Sequence, residues 1–198
     1  MSKRFLFFAS RICLLSILST TAALAQISWV RKDITKNLTN AYALHAADVD
    51  RDGKLDFLSA SRVGAKWWRN NGIGTFSANT IGSLEGAWSV FGADVDGDGD
   101  IDVTAGSPHP DAQQVRFWEN KNGAWAAPKT FPLIEAEDVF AADLEGDGIM
   151  EILGVAWAEG LPDSGNDLVY FKNYLNGSGT QVMVDPNLSG AHSVVAAD

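Results

Sequence analysis

The nine residues 94–102, DVDGDGDID, constrain this chain more than any other stretch. Asp94, Asp96, Asp98 and Asp102 fall at positions 1, 3, 5 and 9 of a loop whose position 6 is Gly99. Asp48, Asp50, Asp52 and Asp56 repeat the pattern around Gly53, and Asp143, Glu145, Asp147 and Glu151 repeat it around Gly148. Carboxylates crowded in this way repel one another, so the loop must take up protons, spread open or hold a counter-ion. Calcium resolves the conflict because it accepts six to eight oxygens in loose geometry, with position 7 offering the carbonyl of Lys54, Asp100 or Ile149. Magnesium demands octahedral ligands and keeps its waters, so it fits less well. The glycine at position 6 supplies the sharp turn that brings position 9 back toward position 1. The expectation is Ca2+ at up to three sites, one per loop.

Two other readings use the same residues. An EF-hand loop begins alike but needs a bidentate Glu at position 12 and a helix on either side. Position 12 here is Ser59, Ala105 or Gly154, and flanks such as AWSVFGAD and IDVTAG read as strands. An isolated Asp-Gly pair makes a good hairpin turn with no ion at all. Three in-phase copies with acids at every ligand position favour the cation over bare turns.

The loops begin at Asp48, Asp94 and Asp143, spacings of 46 and 49 residues, and more than the loop recurs. LHAAD, VFGAD and VFAAD precede them, and LDFLSAS, IDVTAGS and MEILGVA follow. KWWRNNG, RFWENKNG and YFKNYLNG then align Trp67, Phe117 and Tyr170 at one site and Trp68, Trp118 and Phe171 at the next. With a final segment such as FSANTIG or APKTFP, each unit holds four strand-like stretches, the pattern of a β-propeller blade. A single blade cannot hide both faces, so the recurring aromatics are expected between blades and not on a ligand platform. The fold class is therefore all-β, a β-propeller of four-stranded blades.

These units resemble FG-GAP/VCBS repeats, the calcium-binding blades of integrin-alpha-like propellers. Phe91-Gly92 is the literal FG, and Gly106-Ser107-Pro108 stands where that family has Gly-Ala-Pro. The other copies carry Ala46 and Ala141 in place of the glycine and lack the tripeptide, so the acid loop carries the match there. The resemblance covers residues 41–198 and implies that each loop joins the first and second strands of a blade, with the acids at 1, 3, 5 and 9 on calcium. Glu145, longer than the usual residue at position 3, marks the third site as the weaker one. The units run 41–86, 87–135 and 136–190, with a truncated fourth at 191–198, where HSVVAAD places Asp198 at a loop start. The expectation is an N-terminal piece of a seven-bladed ring, with ISWVRKDITK (27–36, within segment 26–40) as a strand that could close it, and with poor solubility or oligomerisation for the piece alone.

Residues 1–25 have the layout of a secretory signal: Lys3 and Arg4 lead, ICLLSIL forms the apolar centre, and Ala23 and Ala25 precede the cleavage point. Arg11 leaves the apolar run too short to span a membrane, so no membrane insertion is expected after cleavage, and the address is extracellular or periplasmic. The single cysteine, Cys13, leaves with the signal, so no disulfide braces the mature chain. Removing Lys3, Arg4 and Arg11 and no acid turns a net charge of −10 into −13; three calcium ions would bring it to −7. Nucleic-acid binding wants a basic stripe and is excluded.

No catalytic constellation emerges. His45, His109 and His192 share no zinc spacing, and the G-x-S-x-G nucleophile pattern is absent. Glu135, Glu137 and Asp138 read as a solvated blade connection. Three N-x-[ST] sequons, at Asn37, Asn176 and Asn187, matter only in a glycosylating source. The expected function is an adhesion or interaction module with structural calcium and a protein or glycan ligand; the alternative is a lectin-like propeller or the scaffold of a polysaccharide-degrading enzyme. The polar loops 107–114 and 158–167 are the expected contact points.

Overall fold

Apolar runs of five to seven residues flank each acid loop, long enough for strands and too short for helices. The computed structural model describes residues 31–157, 168–176, 179–185, 188 and 191–197. In the first unit Ala41–Ala47 (β1), Asp56–Ser61 (β2), Gly64–Asn70 (β3) and Phe76–Gly82 (β4) form an antiparallel sheet in that order. The second unit pairs Ser89–Ala93 (β5), Asp102–Ser107 (β6) and Gln114–Trp118 (β7), inserts a hairpin of Asn120–Lys121 (β8) and Ala124–Trp125 (β9), and closes with Lys129–Pro132 (β10). The third pairs Ala136–Ala142 (β11), Glu151–Ala156 (β12), Leu168–Lys172 (β13) and Thr180–Asp185 (β14), with a 3-10 turn at Tyr174–Asn176. These are successive four-stranded blades of a β-propeller, each within one repeat unit.

Burial explains the strand sequences. The second strands β2, β6 and β12 are covered on both faces, so their apolar runs are nearly continuous rather than alternating. The fourth strands β4, β10 and β14 are the outermost and carry most of the exposed positions. First strands stand side by side, with β5 between β1 and β11. His45, Phe91 and Phe140, all three residues before a loop, form a ladder across them, with ring centroids 4.5 and 4.3 Å apart.

Two cores fill the spaces between blades. Leu58, Ala60, Trp67 and Ile81 of the first blade meet Val90, Val103, Ala105 and Trp118 of the second. From the opposite face of the second blade, Val115, Phe117 and Phe131 meet Val139, Ile152, Val169 and Phe171 of the third. The period of two in β7 therefore sends Trp118 one way and Phe117 the other. Register confirms the aromatic alignment: Trp68, Trp118 and Phe171 oppose Phe57, Val103 and Ile152. Trp118 lies so close on Gly82 that a Cβ there would fall 2.3 Å from its Nε1. The expected packing role holds for Trp67, Phe117, Trp118 and Phe171, whereas Tyr170 is only partly covered.

Segment 31–40 holds no strand, so the strand expected over 27–36 is not formed in its described part. Polar residues dominate there, and the Thr35 hydroxyl accepts the Asn37 N–H at 3.1 Å, bending the chain away from an extended path. Residues 191–197 lie against β11, where Ser193 Oγ and Val194 N–H donate to Asp138 Oδ2 at 2.8 and 3.1 Å. Among the described residues no helix is long and apolar enough to cross a membrane. The signal segment 1–25, the loop 158–167 and Asp198 lie outside the described residues.

Candidate metal centres

All three acid loops take one conformation. Each spans the gap between the first and second strands of its blade, and position 9 is the first residue of the second strand: Asp56, Asp102 or Glu151. Position 6 is left-handed in every copy, with φ of 82° at Gly53, 91° at Gly99 and 88° at Gly148. Position 4 is left-handed as well, at Arg51 (57°), Gly97 (76°) and Gly146 (71°), a second requirement that only two of the three copies meet with glycine. At position 5 the aspartate braces its own turn, since Asp52, Asp98 and Asp147 accept the N–H of Lys54, Asp100 and Ile149 at 3.0, 2.7 and 2.9 Å.

The position 9 carboxylate is the buried anchor. Asp56 and Asp102 are fully buried and Glu151 is 4 % exposed. Each accepts the N–H of position 2, Val49, Val95 or Leu144, which closes the loop onto the strand. Asp56 also accepts from Trp67 Nε1 at 2.8 Å and from Asn70 N–H at 2.7 Å, while Asp102 accepts from Asn120 N–H at 2.8 Å. The side-chain amides of Asn70 and Asn120 in turn donate to the position 8 carbonyls of Leu55 and Ile101.

The loops differ in how far the carboxylates converge. Oxygens of Asp48, Asp50 and Asp56 lie within 4.8 Å of one another, as do those of Asp94, Asp96 and Asp102. Positions 1, 3 and 9 thus come together in the first two loops, while Asp52 and Asp98 at position 5 stay with their own turns. Asp48 accepts the N–H groups of Asp52 and Gly53 in the first loop, and in the third Asp143 accepts those of Gly146, Asp147 and Gly148, which hold its carboxyl below the usual range, the Gly148 donor most of all. Glu145 turns out to an ion pair with Lys172. At position 7 the Lys54 ammonium pairs with Asp52, which lowers that carboxyl, and the Asp100 carboxylate pairs with Arg51 of the first loop.

Oxygen donors packed this way suit a hard divalent cation. Burial pushes Asp102 up to about 7, with the carboxylates of Asp96 and Asp98 adding to the rise. Asp96 is raised too, by burial first and then by Asp98, Glu119 and Asp94. Asp94 Oδ1 is buried with no hydrogen-bond partner. A cation at this point would answer both the crowding and the orphaned oxygen, so the residues fit calcium. Asn70, Asn120 and the Arg69, Glu119 and Lys172 positions were not singled out from sequence. Their signal was the recurrence of Asn70, Asn120 and Asn173 two residues after each aromatic pair. Elsewhere, His109 stands with Glu85 and Asp111 in a group that reaches no loop acid.

A family model described as FG-GAP-like repeat matches residues 48–105 and 94–154. No curated protein matches the chain. Among solved structures, a lectin of Agrocybe aegerita, described for its recognition of non-reducing terminal N-acetylglucosamine, aligns at 20% identity with a TM-score of 0.49 over 75% of this chain and 39% of its own. The Tc holotoxin pore of Photorhabdus luminescens aligns at 20% identity with a TM-score of 0.38 over 74% of this chain and 6% of its own. With two overlapping repeat matches spanning more than half its length, each starting on the first aspartate of an acid loop, the chain belongs to the FG-GAP-like repeat family.

Proposed function

We propose that this is a secreted propeller module that binds calcium in its acid loops and presents its connecting loops to a protein or glycan ligand. The observation that carries the reading is the gathering of carboxylates from positions 1, 3 and 9 within 4.8 Å in two loops that are both left-handed at positions 4 and 6. Calcium, when bound, neutralises the crowded carboxylates and ties the start of each second strand to the end of the first. The chain's own residues do the rest: Asp56 and Asp102 fix the loop to the sheet, and Asn70 at the end of β3 and Asn120 in β8 donate their N–H groups to the same carboxylates. Calcium is structural in this reading, and no residue is assigned to catalysis. The loop at 107–114 is the proposed contact point within the described residues.

Titration calorimetry of the full chain, with thermal melts in chelator and in excess calcium, tests the metal. Occupancy at a hundredfold the dissociation constant adds about 2.7 kcal/mol per site, a shift of several degrees. Asp94→Asn should remove one equivalent of binding. Identical melting in EDTA and calcium would refute calcium binding. Exported protein beginning at Gln26 would establish the address, and sugar selectivity on a glycan array in calcium would replace a protein ligand with a carbohydrate.

A further inference from the structure

In the first and third blades the residue that follows the aromatic pair reaches position 3 of that blade's own loop, and the charge at this place differs from blade to blade. In the first blade Arg69 pairs with Asp50 and lies 3.8 Å from Asp52, which the Lys54 ammonium also contacts at 2.7 Å. In the third blade Lys172 pairs with Glu145. In the second blade the same place, directly after Trp118 where it opposes Val103, is taken by Glu119. The nearest base there, Lys121, is bound to Glu119 itself at 3.0 Å, and Arg51 is spent on Asp100. Among the described residues, no ion pair reaches Asp94, Asp96, Asp98 or Asp102.

We infer that the three loops form a graded series in which the second is the high-affinity calcium site, and that the residue at 69, 119 or 172 sets the grade. Arg69 and Lys172 are internal cations that supply part of what calcium would supply, so an incoming ion must displace or tolerate them. Glu119 does the opposite: it holds the Lys121 ammonium on itself at 3.0 Å, which leaves Asp94, Asp96, Asp98 and Asp102 without an ion pair among the described residues. Coulomb interactions at this range are strong enough, even with solvent screening, to separate the sites by about tenfold or more. Geometry points the same way: the first loop has gathered its acids but pairs one of them, whereas the third has turned Glu145 out to Lys172. These are affinity-setting residues, distinct from the ligands, and the inference rests on calcium being the ion.

Calcium titration of the full chain by calorimetry, with Asp94→Asn and Asp48→Asn to assign each step, decides it. The tightest step should vanish in Asp94→Asn, and the next in Asp48→Asn. Arg69→Met should tighten the first-loop step by about threefold to tenfold, while Glu119→Gln should weaken the second-loop step by a similar factor. Lys172→Met, on the third loop, gives an independent reading if either of those variants melts in chelator below the parent. Equal affinities at the three loops, or steps unmoved by Arg69→Met, Glu119→Gln and Lys172→Met, would overturn the graded series while leaving calcium binding intact. No calcium binding in any variant would remove the reading beneath it as well.

Discussion

At Gly92, the glycine of the one literal FG, a Cβ would fall 2.4 Å from Leu58 Cδ1 of the preceding blade. The third copy has Ala141 at this place, and the residue at Leu58's register position is there Thr104, a smaller side chain. The glycine therefore answers the leucine across the blade interface and has no tie to the metal. Gly92→Ala should cost about 1–3 kcal/mol through overpacking, as read by chemical denaturation. Leu58→Val removes the colliding carbon, so the double variant should recover most of that loss, and strictly additive effects would show that the two do not meet. His45 belongs to the same scale. Burial lowers its imidazole below the ordinary value, and its ring rests on Phe91. A histidine held neutral in the fold gives stability that is present above pH 6.5 and is lost as pH falls through the lowered value. His45→Phe, which copies Phe91 and Phe140, should flatten the fall in melting temperature between pH 6.5 and 5 relative to the parent.

Loops touch loops, and each pair does so differently. Arg51 leaves the first loop to pair with Asp100 of the second, where Asn122 N–H also donates at 2.8 Å. Asn122 and Gly123 both have positive φ, so the β8–β9 hairpin turns through a primed Asn-Gly corner that carries this donor to Asp100. Between the second and third loops the link is backbone, with Met150 N–H donating to Val95 carbonyl at 3.0 Å and the Gly97 Cα facing Gly148 carbonyl. Two effects therefore oppose each other in Arg51→Gly. Glycine relieves a left-handed residue by about 1 kcal/mol, but the change leaves Asp100 buried without its cation, at about 2 kcal/mol once the exposure of Arg51 is discounted. The single variant should be destabilised by about 1 kcal/mol, and in an Asp100→Asn background the same change should be neutral or stabilising by thermal melt.

Burial grades each blade from its twice-covered second strand to its open fourth strand, and stability should follow that grade. Native-state hydrogen exchange is expected to show the slowest amides in β2, β6 and β12 and the fastest in β4, β10 and β14. Equal protection across a blade would mean that the interblade cores at Leu58–Trp118 and Phe117–Phe171 do not dominate. Nothing covalent is needed for this order. The cores lie between sheets, so each blade is stabilised chiefly by its neighbours, and the acid loops sit where neighbours meet.

The blades and the loops were legible in one dimension because both repeat. Acids at positions 1, 3, 5 and 9 with glycine at 6 form a local pattern readable from the sequence, and a period of 46 to 49 residues announces stacked units. What the tertiary structure alone decided was which acids are free to meet. Glu145 looked merely long until Lys172 was found beside it, and Asp50 looked equivalent to Asp96 until Arg69 and Glu119 took their places over the loops. Those partners lie 19 to 27 residues away along the chain and come close only through the register of the third strand on the second. Local spacing fixes a loop's path, since backbone turns depend on neighbouring residues; its electrostatics depends on every charge the folded sheet brings near, and those are set by pairing across strands.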